Sequence, residues 1–353
     1  MRGAILLIAT LAGASASAQQ SRSLCSPTAS SLTPGDWRSP ALAAATQPKP
    51  GFRLVREIPL PGPANRFDYQ SVDPASGRIY MNHMNAGSTI VFDADSGKVI
   101  AEIMDLPRAT GVWAVPAHHQ IYVSAAGSHE VAIIDDRSLK IVARVGGIRF
   151  PDGIAYAREA DKVFVSDESG GAAVVIDPKT GKKRSTIDLG GEAGNTHYDS
   201  VSHCILVAVQ TRNQLAAIDP VSERIAQRYD LPGSNNPHGF TLDEPGRLAF
   251  ITSEGNGLLQ VVDLRTMKIL QTLKVPDDPD VLAWDPSWRR LYVASESGAL
   301  SAFWLDGRTL RPIGEVRMPH AHTVSVDPRT HLVYLPLENI NGRPVLWIYE
   351  PTR

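Results

Sequence analysis

A unit of about 42 residues recurs seven times between Gly51 and Arg353. Each unit opens with a turn-like segment and an alternating apolar run, as in "FPDGIAYAREADKVFVS" and "NPHGFTLDEPGRLAFIT". A turn follows, then a third apolar run that ends in Asp, such as "AAVVID", and after another turn a fourth run such as "VIAEIMDLP". Four short strands per repeat, separated by turn residues, are typical of a propeller blade. The sequence therefore predicts an all-β, seven-bladed β-propeller with four-stranded antiparallel blades.

The last repeat provides only three strands, the third of which is "RPVLWIYE". The segment "FRLVREIPLP" (52–61) at the other end of the repeats has the pattern of a fourth strand. We expect this N-terminal strand to complete the last blade, which would leave no open sheet edge. The prediction is one toroidal domain over residues 51–353, with its core between neighbouring sheets.

The first 50 residues have a different composition from the repeats. Arg2, the apolar run 4–12 and the small residues "ASA" (16–18) predict a signal peptide over residues 1–18. The apolar run is too short to span a bilayer, and no later segment reaches that length. Residues 19–50 are rich in Ala, Ser, Thr and Pro, which predicts a flexible linker. We therefore expect a protein that is periplasmic or secreted, not membrane-spanning, and monomeric.

Charge and cysteine content argue against a nucleic-acid-binding protein and against a small domain held by a disulfide framework. Without Arg2 the chain has 34 basic and 37 acidic residues and no basic stripe, which argues against nucleic acid as a partner. The two cysteines, Cys25 and Cys204, cannot form a disulfide framework. A single bridge stays open, but free, inert thiols are the favoured interpretation.

Alignment of the repeats on the turn after the first strand identifies a ring of equivalent positions. This position begins the innermost strand of each blade, so its side chains should converge at one mouth of the central channel. The spacings are 42, 42, 42, 44, 42 and 42 residues. The ring consists of Asp68, Thr110, Asp152, Gly194, His238, Asp280 and His322. His197 follows Gly194 closely and is expected to compensate for its missing side chain.

A second ring lies sixteen residues further along each repeat, in the turn between the second and third strands. That turn should open on the same face as the first ring. Its members are Met84, Ala126, Glu168, Gln210, Glu254, Glu296 and Glu338. The predicted ligand-binding residues are therefore Asp68, Asp152, His197, Glu168, Glu254, Glu296 and Glu338, and the predicted metal ligands are His238, Asp280 and His322.

Imidazole and carboxylate groups without a thiolate suit one borderline or hard divalent metal ion of unknown identity. The leading hypothesis is a binding module for a small molecule, a metal ion or an exported protein partner. The alternative is a metal-dependent hydrolase or lyase acting on a small lactone or ester, with a mouth histidine as ligand or base. Solvated polar residues around a propeller channel would explain the same pattern without any ligand.

The blades resemble those of the YVTN-repeat, YncE-like exported propellers. The resemblance rests on "RIYMN", "QIYVS", "KVFVS" and "RLYVA", and on "D-x-x-x-G-K" between the third and fourth strands. It implies an exported seven-bladed propeller and does not imply a reaction. A more distant similarity connects the chain with the gluconolactonase and streptogramin-lyase propellers, which implies a divalent metal at the central mouth.

Overall fold

The computed structural model describes residues 24–25 and 51–352, which form seven four-stranded antiparallel sheets. Blades 1 to 6 each use four consecutive strands, numbered from the channel outwards. The strands of blades 1 to 3 are β2 (Gln70–Asp73), β3 (Arg78–His83), β4 (Ser88–Asp93), β5 (Lys98–Ile103), β6 (Ala109–Val115), β7 (Gln120–Ala125), β8 (Glu130–Asp135), β9 (Lys140–Gly146), β10 (Pro151–Ala157), β11 (Lys162–Asp167), β12 (Ala172–Asp177) and β13 (Lys182–Asp188).

Blades 4 to 6 repeat this order. Their strands are β14 (Ala193–Asp199), β15 (Cys204–Val209), β16 (Gln214–Asp219), β17 (Arg224–Asp230), β18 (Pro237–Asp243), β19 (Leu248–Ser253), β20 (Leu258–Asp263), β21 (Lys268–Lys274), β22 (Pro279–Asp285), β23 (Arg290–Ser295), β24 (Ala299–Asp306) and β25 (Thr309–Arg317). Short 3₁₀ turns connect several strands, at Met84–Ala86, Pro116–His118, Ala126–Ser128, Gln210–Arg212 and Glu254–Asn256. Within the described residues, no helix is long and apolar enough to cross a membrane.

Blade 7 joins the two ends of the propeller. It consists of β26 (Ser325–Val326), β27 (Val333–Ile340), β28 (Arg343–Pro351) and β1 (Phe52–Pro59). Strand β1 is the outermost strand and pairs antiparallel with β28 from Phe52↔Pro351 to Pro59↔Val345. The N-terminal strand thus closes the ring, as the three-strand last repeat predicts, and the seven-bladed architecture is confirmed.

The core is divided among the seven contacts between neighbouring blades. Seven clusters of buried apolar side chains fill these contacts; one of them, for example, joins Phe164 of blade 3 to Ile205 of blade 4. Each sheet therefore packs on both faces, and the channel is left free of a shared core. This arrangement allows polar side chains to converge at the channel mouth.

Cys25 and Cys204 form a disulfide, so the expectation of free thiols is wrong. Cys204 begins β15, and Leu24, next to Cys25, is buried against Leu206 and Phe240 between blades 4 and 5. The Tyr229 hydroxyl donates a hydrogen bond to the Leu24 carbonyl at 3.1 Å. The rest of the predicted signal peptide (1–18) and linker (19–50) lies outside the described residues.

Candidate functional site

The first ring of charged residues meets at one mouth of the channel. The side chains of Asp68, Asp152, His238, Asp280 and His322 line one cavity of about 620 Å³, and each of these residues is only 4 to 7 % exposed. Thr110 lines the same cavity. The repeat spacing therefore identified side chains that lie close together in the structure.

In five of the seven blades, a bulge at the start of the inner strand aims the ring side chain at the channel axis. In blades 2 to 6 the pairing of the first two strands shifts at the ring position, for example between Pro151 and Ile154 around Asp152. A bulge turns a side chain out of the regular alternation of the sheet. The freed carbonyl groups find buried partners: the Ser124 hydroxyl donates to the Asp152 carbonyl at 2.7 Å.

The inner strands of neighbouring blades approach each other very closely at this point. Glycine follows the ring residue in blades 2, 3 and 5. A methyl group on Gly239 would lie 1.5 Å from the carbonyl oxygen of Asp280, and one on Gly111 would lie 1.9 Å from that of Asp152. Only glycine allows this packing, which brings adjacent ring residues within contact distance.

Carboxylates and imidazoles alternate around the ring. His322 Nε2 lies 3.1 Å from Asp68 Oδ1 and 3.1 Å from Asp280 Oδ2. His238 Nε2 lies 3.4 Å from Asp280 Oδ1 and 3.9 Å from Asp152 Oδ2. The order Asp152, His238, Asp280, His322, Asp68 places each imidazole between two carboxylates.

Glutamates of the second ring stand behind the imidazoles. His322 Nδ1 lies 2.8 Å from Glu296 Oε1, and His238 Nδ1 lies 3.7 Å from Glu254 Oε1. Glu168 also lines the cavity and accepts a hydrogen bond from Gln210 at 3.4 Å. These contacts bring three of the four predicted glutamates to the mouth.

The surrounding charges change the protonation of the two histidines. Burial favours a neutral His322 ring, but the carboxylates of Asp280 and Asp68 outweigh it and raise its pKa to about 10. Burial likewise opposes the charge on His238, yet Asp280, Glu254 and Asp152 raise its pKa to about 9. In the absence of a metal ion, both rings are therefore imidazolium ions at neutral pH.

The pKa values of the neighbouring carboxyl groups shift in opposite directions. The hydrogen bond with His322 lowers the pKa of Glu296 to about 2, with a further contribution from the charge of Arg66. Burial raises the pKa of Glu254 to about 7, against the opposing charge of His238. Burial also raises the pKa of Asp152 well above its usual value. The mouth thus holds more carboxyl groups than it can keep ionised.

Arg66 and Tyr69 belong to the mouth, and sequence reasoning missed both. Arg66 bonds to Glu296 at 3.0 Å, and its guanidinium lies 3.2 Å from His322 Nε2. A protonated His322 cannot accept from Arg66, so this last approach is a contact between two cations beside shared carboxylates. The Tyr69 hydroxyl lies 3.0 Å from His238 Nε2 and 3.5 Å from Asp152 Oδ2. Burial raises the pKa of Tyr69 well above its usual value, so it stays a neutral phenol.

Two predicted site residues lie elsewhere. His197 lines a separate space on the far side of Tyr69, where its ring contacts Trp113 and Phe240, so the expectation that it compensates for Gly194 at the mouth is wrong. Burial lowers the pKa of His197 to about 4. Glu338 pairs with His320 at 2.9 Å and does not line the mouth cavity.

Several of these side chains could hold a metal ion. Among the described residues, two groups of three have ligand atoms within 4.8 Å of one another: His238, Glu254 and Asp280, and Asp280, Glu296 and His322. Asp280 belongs to both groups. Nitrogen and oxygen ligands without a thiolate suit a hard or borderline divalent cation.

Comparison with known proteins supports the fold and leaves the chemistry open. No family model matches the chain. It is 22 % identical over 186 residues to the uncharacterized protein YncE of Salmonella typhi, covering 50 % of this chain and 51 % of that protein. It is 21 % identical over 255 residues to antigen Lp49 of Leptospira interrogans, covering 63 % and 53 %. The chain thus matches about half the length of these curated relatives.

Solved structures give the same architecture at low identity. Hydrazine synthase from Kuenenia stuttgartiensis superposes with a TM-score of 0.70 at 16 % identity, over 81 % of this chain and 95 % of that one. The structure of U3-55K superposes with a TM-score of 0.69 at 12 % identity, over 84 % and 98 %. At such identities the likeness concerns the fold alone. Together with the distant sequence relatives, it confirms the resemblance to the YncE-like propellers.

Proposed function

We propose that the protein is an exported binding module that takes up a divalent cation at the mouth of its propeller. The observation that carries this proposal is the position of Asp280, whose two carboxylate oxygens face the Nε2 atoms of two different histidines. Asp280 is 4 % exposed, and its Oδ1 receives no hydrogen bond. A buried carboxylate oxygen without a donor needs a partner, and a cation supplies one.

The charge of the cavity supports the same proposal. Six carboxyl groups line it, against two arginines and two histidines; the carboxyl groups are those of Asp68, Asp152, Glu168, Glu254, Asp280 and Glu296. Converging carboxylates repel one another, and in the metal-free protein protonation relieves part of this repulsion. A divalent cation would relieve it without protons. The volume of about 620 Å³ also leaves room for a small ligand beside the ion.

Export is supported by the disulfide between Cys25 and Cys204. Disulfides persist in oxidising compartments and are rare in the cytosol. The signal-peptide pattern of residues 1–18 points the same way. We therefore propose that the binding module acts in the periplasm or outside the cell, where it would meet its cation, small ligand or protein partner.

Metal content tests the proposal directly. The purified mature protein is dialysed against Zn²⁺, Mn²⁺ or Ca²⁺ and then against buffer, and bound metal is measured by elemental analysis. We expect at least one divalent ion per chain in the wild type and loss of that metal in the double variant His238→Ala/His322→Ala. Circular dichroism checks that the variant is folded.

The matched control removes two histidines from elsewhere on the surface. His119 and His203 have side chains 51 % and 62 % exposed and lie away from the mouth cavity. His119→Ala/His203→Ala should bind as much metal as the wild type. Absence of bound metal in the wild type under all three conditions would overturn the proposal.

A metal-dependent hydrolase or lyase for a small lactone or ester is the second candidate. It is favoured by two arginines, Arg66 and Arg108, and by the Tyr69 phenol in the same cavity as the cation ligands. A guanidinium beside a bound cation could stabilise negative charge that develops on an ester oxygen. Hydrolysis of small lactones by the metal-loaded wild type, and not by Arg66→Gln, would establish this activity. Failure of both proteins across the screen would leave the binding module.

A further inference from the structure

The two halves of the charged ring are arranged alike about Asp280. On one side Asp280 Oδ2 lies 3.1 Å from His322 Nε2, which also lies 3.1 Å from Asp68 Oδ1. On the other side Asp280 Oδ1 lies 3.4 Å from His238 Nε2, which lies 3.9 Å from Asp152 Oδ2. Each half therefore offers one imidazole nitrogen and two carboxylates, and the central carboxylate is common to both.

Both imidazoles present the same atom to the ring. Their Nε2 atoms face the aspartates, whereas their Nδ1 atoms face Glu296 at 2.8 Å and Glu254 at 3.7 Å. A histidine that binds a metal through one nitrogen commonly donates its other N–H group to a carboxylate, which fixes the ring orientation. Asp68 is such a carboxylate for His322 Nε2, at 3.1 Å. Each second-ring glutamate instead joins its imidazole and Asp280 in a group whose ligand atoms all lie within 4.8 Å of one another.

One ion cannot serve both halves with this geometry. The two oxygens of a single carboxylate point in different directions, and each already faces its own imidazole. A carboxylate that bridges two ions uses one oxygen for each of them, with the ions about 3.5–4 Å apart in known two-metal sites. Asp280 Oδ1, which is buried and receives no hydrogen bond, then faces the ion on the His238 side.

We propose that the mouth binds two divalent cations bridged by Asp280, one with His322 and Glu296 and one with His238 and Glu254. This inference rests on the proposed cation-binding function and specifies it. Asp68 acts as a positioning residue, since its carboxylate lies 3.1 Å from His322 Nε2, and Asp152 lies 3.9 Å from His238 Nε2. The mouth becomes a two-metal centre, in which the small cavity above the ions can accept a ligand that spans both.

Stoichiometry and magnetic coupling distinguish two ions from one. The EDTA-treated mature protein is dialysed against Mn²⁺, bound metal is measured by elemental analysis, and the electron paramagnetic resonance spectrum is recorded. We expect about two Mn²⁺ per chain and a spectrum of two exchange-coupled ions, which differs from that of an isolated ion. Asp280→Asn should abolish the coupling. The matched control Asp278→Asn, a nearby exposed aspartate outside the cavity, should keep both ions and the coupling.

The glutamates are tested in the same way. Glu296→Gln removes one carboxylate ligand of the ion on the His322 side, so we expect that ion and the coupling to be lost while the ion on the His238 side is kept. Glu338→Gln, at the equivalent position of blade 7 but outside the cavity, should leave affinity unchanged.

Each outcome leads to one conclusion. One ion per chain with the spectrum of an isolated Mn²⁺ would overturn the two-metal centre and leave the cation-binding module standing. Binding of none of Mn²⁺, Zn²⁺ and Ca²⁺ would overturn both. If Asp280→Asn does not fold, stoichiometry and spectrum of the wild type decide the question without it.

Discussion

A buried ion pair between blades 4 and 5 provides a quantitative test of how the propeller is held together. Arg247 donates hydrogen bonds of 2.5 and 2.7 Å to the two oxygens of Asp199. Asp199 ends β14, the inner strand of blade 4, and its side chain is fully buried. The substitution Arg247→Met keeps most of the apolar length of the arginine and removes its charge. Asp199 then retains only its contacts with Ser202 and the Val201 amide.

The expected cost follows from this burial. Breaking a buried pair by removal of one partner leaves an uncompensated charge and costs about 3–5 kcal/mol. For roughly 300 residues, the entropy of unfolding is about 0.6 kcal/mol per degree, because each residue contributes about 2.1 cal/mol/K. We therefore expect Tm to fall by about 5–8 °C in Arg247→Met. Thermal unfolding followed by circular dichroism at neutral pH measures this change.

Two further variants serve as controls for the change in Tm. Arg265→Met removes an arginine of the same blade that is 48 % exposed and pairs with Asp263 at 3.8 Å, so it should cost less than about 0.5 kcal/mol. The double variant Asp199→Asn/Arg247→Met removes the buried charge as well and should recover most of the lost stability. Equal Tm values for Arg247→Met and Arg265→Met would refute the assignment of this pair as an interior contact between blades.

Three other predictions concern the close approach of the inner strands, the disulfide and the response to acid. Gly239→Ala should lower the free energy of unfolding by about 1–3 kcal/mol and weaken cation binding, because its methyl group would collide with the Asp280 carbonyl. Gly146→Ala, whose methyl group would have nothing within 4 Å, should leave both properties unchanged. Thermal unfolding and dialysis against Zn²⁺ test the two variants. Cys25→Ser should lower the free energy of unfolding by about 2–5 kcal/mol, since the bridge joins residues 179 apart. The reduced wild type should unfold at the same urea concentration as the variant. Partial burial opposes the charge on Glu223, but hydrogen bonds from a lysine, a serine and an arginine outweigh it and lower its pKa to about 2. Its contribution to stability is therefore present above pH about 4.5 and is lost as pH falls towards 2, so the stability difference between wild type and Glu223→Gln should shrink over that range in urea titrations.

The 42-residue period contained enough information to predict the blades, their number, the closure by β1 and the first ring. Repeats of one length place equivalent Cα atoms at equivalent points of a toroid, so Asp68 and Asp280 could be brought together from spacing alone. Side-chain direction does not follow from spacing. His197 lies just beyond the bulge of β14, where regular alternation resumes, and its ring turns away from the mouth. Glu338 lies inside β27, because the hairpin of blade 7 turns later than those of the other blades.

Tyr69 shows what a closer comparison of the repeats could have revealed. The positions that follow the ring residue are small or medium-sized in the other six blades: Gly111, Gly153, Asn195, Gly239, Val281 and Thr323. Only blade 1 has a large aromatic side chain there. A single bulky residue among small ones at a channel position predicts a side chain that occupies the shared space. The disulfide left no comparable signal, because Cys25 lies outside the repeats.

The arrangement of the mouth follows from the way this ring departs from its own symmetry. Seven equivalent blades would give seven equivalent side chains, and a ring of seven aspartates could not remain ionised at such close range. Two of the seven ring positions are uncharged, Thr110 and Gly194. His238 and His322 place an imidazole on either side of Asp280. The result is a row of alternating charges with Asp280 at its centre, in which only the uncharged Gly194 of blade 4 separates Asp152 from His238. Substitution of that one carboxylate therefore removes the partner that the two imidazoles share.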